Sequence, residues 1–231
     1  MPKRAFISQS NYIPWKGYFD AINLADTFII LDEVQFTKHD WRNRNRIVTP
    51  QGIQWLTIPV FVKDVYNQTI NETRISAPNW TRKHWGSFQA NYAKAPHFRR
   101  YAERFETLYC GLEETLLSRV NERFILEINE ILGIGTHILR CEALAMIEGK
   151  NRRLIDLCAK VGADTYLSGP AARAYLDESR FAAAGIEVEW LDYSGYPEYP
   201  QMWDGFEHGV TILDLLFNTG PDAHRYMKSF G

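Results

Sequence analysis

No stretch of the sequence approaches the roughly eighteen apolar residues of a membrane span, and the apolar run after Lys3 and Arg4 is too short for a secretion signal. A soluble, cytoplasmic protein that engages no membrane is the expectation. Cysteine is scarce: Cys110, Cys141 and Cys158 are odd in number and far apart, with no CxxC and no histidine at zinc spacing. That excludes a disulfide framework and fits a reducing compartment. The 6 histidines form no HxH or HExxH pattern, so no metal site is expected. The Walker loop, the GxGxxG fingerprint and the GxSxG elbow are missing too. Nor is there an excess of one charge. Lys and Arg number 26 against 28 Asp and Glu, a net charge of −2. This argues against nucleic acid as a partner and confines any anion site to a local cluster.

What the sequence holds in excess is aromatic. The 7 Trp, 12 Tyr and 13 Phe make up 14% of 231 residues, and many stand beside turns, where such side chains line ligand sites. Ala5 to Ser8 reads as a strand, Tyr18 to Leu24 as a short helix, and the β-branched run Thr27 to Leu31 as a strand buried on both faces. This is a βαβ opening. Alternation from Arg42, a Thr49 to Gly52 turn and the run Ile53 to Val60 read as a β-hairpin. Asn79 or Thr81 starts a helical stretch that breaks at Pro96 and stops at Gly133. Strand, helix and strand then resume at Thr136 to Arg140, Asn151 to Val161, Thr165 to Leu167 and Ile186 to Leu191. A last helix spans about Val210 to Phe217. The expected organisation is an α/β core with a mostly parallel sheet, in segments 1–78 and 134–231, with a helical insertion at 79–133.

Four segments carry chemistry. The first is Gln9 to Asp20, at the carboxyl end of the first strand, where ligands of open α/β sheets gather, with Lys16 as a point charge beside Gly17. In the second, period two puts Arg42, Arg44 and Arg46 on one strand face and Asn43 and Asn45 on the other. Three like charges there call for an anion or for carboxylates. Asp32, Lys38 and His39 lie nearby, and a solvated edge strand is the alternative. The third is the Ser168-Gly169-Pro170 turn before an expected helix containing Tyr175. In the fourth, the loop Tyr193 to His208 includes Gln201 and is long enough to close over a ligand. Asp214, among apolar neighbours in the helix that follows, calls for a buried partner such as an arginine.

Taken together, Gln9 with Tyr12 to Asp20, Leu31 to Phe36, Trp41 to Arg46, Trp55 to Val60, Asp164 to Gly169, Tyr199 to Gln201 and Asp214 to Asn218 resemble the WbqC-like family. The resemblance implies a role in O-antigen and other surface-polysaccharide biosynthesis, with acylation or aminoacylation of sugars. The layout is similar, more weakly, to HIGH-motif nucleotidyl transferases and pantothenate synthetase, which implies a Rossmann-like fold. There the motif's positions read Trp15, Lys16, Gly17 and Tyr18, so both of its histidines are replaced.

The activity expected is transfer of an acyl or aminoacyl group to the amine of a nucleotide-linked amino sugar, drawing on ATP or on an activated acyl donor. Attack of an amine on a carbonyl needs a base, oxyanion donors and cations for phosphates. Asp32 or His84 offers the base, Asn43 and Asn45 the donors, and Lys16, Lys38, Arg42 and Arg46 the phosphate contacts. Tyr12, Trp15 and Tyr18 offer stacking surfaces, while Gln9, Gln35, Arg44, Ser168, Gly169, Tyr175 and Gln201 complete the substrate-contacting set. A non-catalytic nucleotide- or sugar-binding protein is the alternative.

Overall fold

A computed structural model describes residues 2–62 and 67–230. Five short strands, β1 (Arg4–Ser8), β2 (Thr27–Ile30), β5 (His137–Arg140), β6 (Thr165–Ser168) and β7 (Glu187–Trp190), form one sheet in the order β5-β2-β1-β6-β7. Every pairing is parallel. The chain builds outward from β1 through β2 to β5, then returns to the other side of β1 for β6. The order therefore reverses between β1 and β6, where an open α/β sheet leaves a crevice at its carboxyl edge.

Both sheet faces are covered, as the continuously apolar strands require. Phe6, Phe28, Ile30 and Leu167 point into one core, shared with α1 (Lys16–Asn23), α2 (Trp80–Tyr92), α3 (Phe98–Cys110), α4 (Leu117–Leu132) and α7 (Ile212–Thr219). Ala5, Ile7, Ile29 and Tyr166 point into the other, against Leu154, Leu157 and Cys158 of α5 (Lys150–Lys160) and Phe181 of α6 (Glu178–Ala183). The expected helical region is thus three helices that share the larger core with the sheet. Phe217 joins them, its ring 5.0 to 5.9 Å from those of Phe88, Tyr92, Phe98 and Phe105. Gly133 ends α4 at φ 72, a left-handed turn that costs glycine nothing. The far end of the chain returns to α1, where the Lys228 and Ser229 amides donate to Asp20 at 3.0 Å each.

The expected hairpin is β3 (Arg44–Thr49) with antiparallel β4 (Gly52–Thr57), a separate two-stranded sheet. Ile47 and Leu56 anchor it in the larger core, and the Val48 amide donates to the Tyr92 hydroxyl at 3.0 Å.

Two expectations need correction. After Ser168-Gly169 the chain makes only a five-residue 3-10 turn, Pro170–Ala174, before α6 starts at an Asp177 cap. The Ala172 and Tyr175 amides bond three residues back, to Gly169 and Ala172, and after one bond four residues back, from Leu176 to Ala172, the chain leaves helical geometry. Asp214 has no arginine. Its carboxylate accepts from the Tyr92 and Tyr199 hydroxyls at 2.6 and 2.8 Å and from the Gln201 amide at 3.0 Å. Neutral donors satisfy the charge, though burial still pushes its pKa upward.

Removing that acceptor strands several buried donors. Asp214→Ala should cost roughly 3 kcal/mol or more, and Asp214→Asn, which keeps one acceptor oxygen, clearly less. Chemical denaturation of the two variants measures the difference.

Candidate functional site

The site grows from the carboxyl ends of β1, β2 and β6. Directly after β2, Asp32 is fully enclosed and accepts from the Ser10 amide at 2.8 Å, the Ser10 hydroxyl at 2.6 Å and the Ser118 hydroxyl on α4. The Asn121 amide on α4 bridges the Ser10 hydroxyl, at 3.0 Å, to the Arg42 carbonyl, at 2.9 Å. Burial raises the Asp32 pKa, and the serine donors and Arg42 pull against it. In this arrangement Asp32 touches protein on every side. What it orients is the loop after β1 and the start of the arginine segment.

Alternation in that segment is as expected, with Asn43 and Asn45 buried and the three arginines half-buried. The Asn43 amide donates to the Ile58 carbonyl at 2.9 Å. Asn45 spends both amide hydrogens, on the Tyr12 and Ile13 carbonyls at 3.0 and 2.8 Å. It thereby holds Ile13 at φ 36, a costly conformation for a β-branched residue. Aromatic faces and carbonyls answer much of the arginine charge. Arg44 lies 4.1 Å from the Trp55 ring centroid, and Arg46 lies over Trp41 and Trp55 while donating to the Gly209 carbonyl. Arg42 is different. One guanidinium nitrogen donates to the Asn11 side-chain oxygen and the other to that of Gln9 at 3.1 Å, with Asp40 3.7 Å away.

Trp15 caps α1, and its indole lies over the first turn, 2.3 Å from where a Gly17 side chain would begin. Only glycine leaves room for it. Lys16 is buried and turned toward the Tyr193 to His208 loop, donating to the Pro197 carbonyl at 2.7 Å with the Tyr196 and Tyr199 rings 5.1 Å away. Burial lowers its pKa to about 8, against the pull of Asp20. The Tyr18 hydroxyl donates to the Gln9 carbonyl at 2.8 Å. His84 is sealed in the core between the Thr57 carbonyl, 3.2 Å from Nε2, and the Tyr12 hydroxyl, 2.8 Å from Nδ1. A carbonyl only accepts, so Nε2 carries the hydrogen and Nδ1 accepts from Tyr12, which in turn accepts from Tyr109.

The expected residues fall around several hollows rather than one. A cleft of about 520 Å³ is walled by Trp15, Trp41, Tyr193 and Tyr196, with Asn11 and His208 among its polar lining. A second, of about 440 Å³, takes Gln9, Gln35 and Tyr175. Lys38, Asn43 and Arg44 line a third of about 180 Å³. Gln201 bonds Tyr199, Asp214 and the Glu207 carbonyl, and so latches the loop. Ser168 is buried at the β1/β6 crevice, its hydroxyl without a partner among the described residues. Gly169 lies against Tyr193, whose hydroxyl is 3.5 Å from the position of a Cβ.

His208, Asn11, Tyr193 and Tyr196 join the first cleft without having been singled out individually. The length and aromatic content of the 193 to 208 loop was the signal for three of them. His208 stands out chemically, because its Nδ1 is buried without a partner among the described residues. Burial and nearby Lys16 lower its pKa and keep the imidazole neutral at pH 7. Among the described residues no group of three His, Cys, Asp or Glu could hold a metal ion, and no helix is long and apolar enough to cross a membrane.

The model of the WbqC-like protein family matches residues 9–226. An uncharacterized protein of Mycobacterium tuberculosis, Rv1507c, is 47% identical over 226 residues, which cover 98% of each chain. No solved structure matches.

Two substitutions test this geometry. Gly17→Ala should push the Trp15 indole out of place, with a changed tryptophan emission spectrum and little loss of secondary structure by circular dichroism. His84 has its pKa lowered from 6.5 to about 4 by burial. The unfolded chain therefore takes up this proton first, and the stability tied to neutral His84, about 3 kcal/mol, drains away as pH falls from 6.5 to 4. Denaturant midpoints across that range should fall more steeply for the parent than for His84→Gln.

Proposed function

The chain belongs to the WbqC-like protein family, and on that premise we propose that it transfers an acyl or aminoacyl group to the amine of a nucleotide-linked amino sugar. Family membership by itself implies at most a role in polysaccharide biosynthesis. The observation that carries the finer reading is the 520 Å³ cleft, whose four aromatic walls stand next to Arg42 through Asn11. Such walls stack on a base or sugar ring, and the Asn11 amide, its oxygen held by Arg42, offers its NH2 to the polar edge. In the reaction the amine nitrogen attacks the donor's carbonyl carbon. A C–N bond forms, the bond to the leaving group breaks with its electron pair on that group, and the surplus amine proton passes to a base. Neutral His208, with Nδ1 unpartnered, is the base this cleft offers. Asp32 and His84 have other work, the first in holding the Arg42 segment and the second in the core.

One observation favours a non-catalytic sugar- or nucleotide-binding protein instead. The Trp15 indole occupies the first turn of α1, where the HIGH-type layout resembled above would place a histidine.

Incubation with a nucleoside diphosphate-linked amino sugar and candidate donors, followed by mass spectrometry, separates the two readings. An amide product supports transfer, and tight binding of the sugar without any product supports the binder. Trp15→Ala and Trp41→Ala should each weaken sugar-nucleotide binding about tenfold by calorimetry, the loss expected for one stacked ring. His208→Gln should leave that affinity unchanged and lower turnover by about 10²-fold or more.

A further inference from the structure

We propose that the second cleft, lined by Gln9, Gln35, Lys150, Arg153 and Tyr175, binds a phosphate group, and that through it the protein takes an acyl phosphate as donor. The donor role rests on the transfer reading above; the phosphate site stands on its own geometry.

Lys150 and Arg153 lie one turn apart on α5, so they share a helix face, and both line this cleft. Neither forms an ion pair among the described residues. Arg153 uses only Nε, on the Ile147 carbonyl at 3.3 Å, and Lys150 stands 5.2 Å from the ring centroid of half-exposed Tyr175. Glu33 is the only acid in the lining, so the cleft is net positive by one charge in a chain that is net negative. Its amide is also set for an anion. Because Arg42 donates to Gln9 Oε1, the rotamer is fixed with the Gln9 NH2 turned the other way, and that NH2 has no partner among the described residues. Two cations and an oriented amide donor around one hollow suit a tetrahedral oxyanion better than a planar carboxylate.

The position gives the site a purpose. Gln9 and Asn11 line the two clefts, and the single guanidinium of Arg42 bonds both. A donor phosphate held by Lys150 and Arg153 would keep its acyl carbon, one bridging oxygen away, beside Gln9, where the amine of a sugar seated in the aromatic cleft would meet it. The amine there attacks that carbon, the C–O bond to phosphate breaks, and phosphate leaves with the electron pair, its charge met by the two cations. The amine proton goes to His208.

Titration with acetyl phosphate, inorganic pyrophosphate and acetate, read by calorimetry and 31P NMR, tests this. Acetyl phosphate and pyrophosphate should bind and acetate should not. The double variant Lys150→Gln/Arg153→Gln, two surface changes that spare the core, should raise both dissociation constants at least tenfold. It should leave affinity for the nucleotide-linked amino sugar unchanged. Unchanged phosphate affinity in the variant overturns the proposal, and so does acetate binding as tightly as acetyl phosphate. If phosphate binds as described while the amino sugar does not bind at all, the reading of the aromatic cleft fails and the phosphate site survives.

Discussion

The carboxyl edge of the sheet is organised around the Asp32 carboxylate, which is buried away from solvent. A buried charge must collect its hydrogen bonds from protein, and Asp32 draws them from two serines that lie 108 residues apart in the chain. Ser10 brings the end of β1 and Ser118 brings α4, while Asn121 passes the constraint on to the backbone of Arg42. The polar network therefore sets the geometry between sheet, helix and hairpin that apolar packing alone leaves loose. Both clefts inherit their positions from it, since Gln9, Asn11 and Arg42 all lie next to its members.

A second constraint is how the molecule manages positive charge. Arg44 and Arg46 are neutralised less by carboxylates than by indole faces and main-chain carbonyls, and Lys16 by tyrosine rings and Pro197. Aromatic residues thus serve as partners for cations as well as for each other, which accounts for part of their excess. Arg42 keeps its hydrogen-bonding fork on two amide oxygens, and the cations of α5 keep theirs largely open.

The middle of the sheet was legible because β1, β2 and β6 are short, largely apolar and buried on both faces, and Gly133 marks a helix end that only one backbone conformation explains. The arginine alternation was legible for the same reason, since period two is a property of the strand alone. Which group each side chain meets was not. Asp32, His84 and Lys16 looked like site residues because they are titratable and stand near strand ends or turns, yet the burial and direction of each depend on Ser118, Tyr12 and Pro197, which lie 86, 72 and 181 residues away. Asp214 attracts phenols rather than a guanidinium because Tyr92 arrives from 122 residues away to join Tyr199 of the preceding loop, an assembly no local pattern encodes. Lys150 and Arg153 read as ordinary surface charges until Gln9 is placed opposite them.

Pairing of β1 with β6 joins Arg4 to Thr165, and the amides that cap Asp20 come from residues 228 and 229. A chain made from its amino end thus exposes one edge of its central strand through most of synthesis, because the strand that covers it is among the last to emerge. The β1-α1-β2 unit must wait with that edge uncovered, a state in which another nascent chain can compete for it. Production in cells should accordingly depend on how long that interval lasts, so slower translation of the middle third, or a shortage of chaperones that shield open strand edges, would lower the yield of a protein whose finished fold is sound.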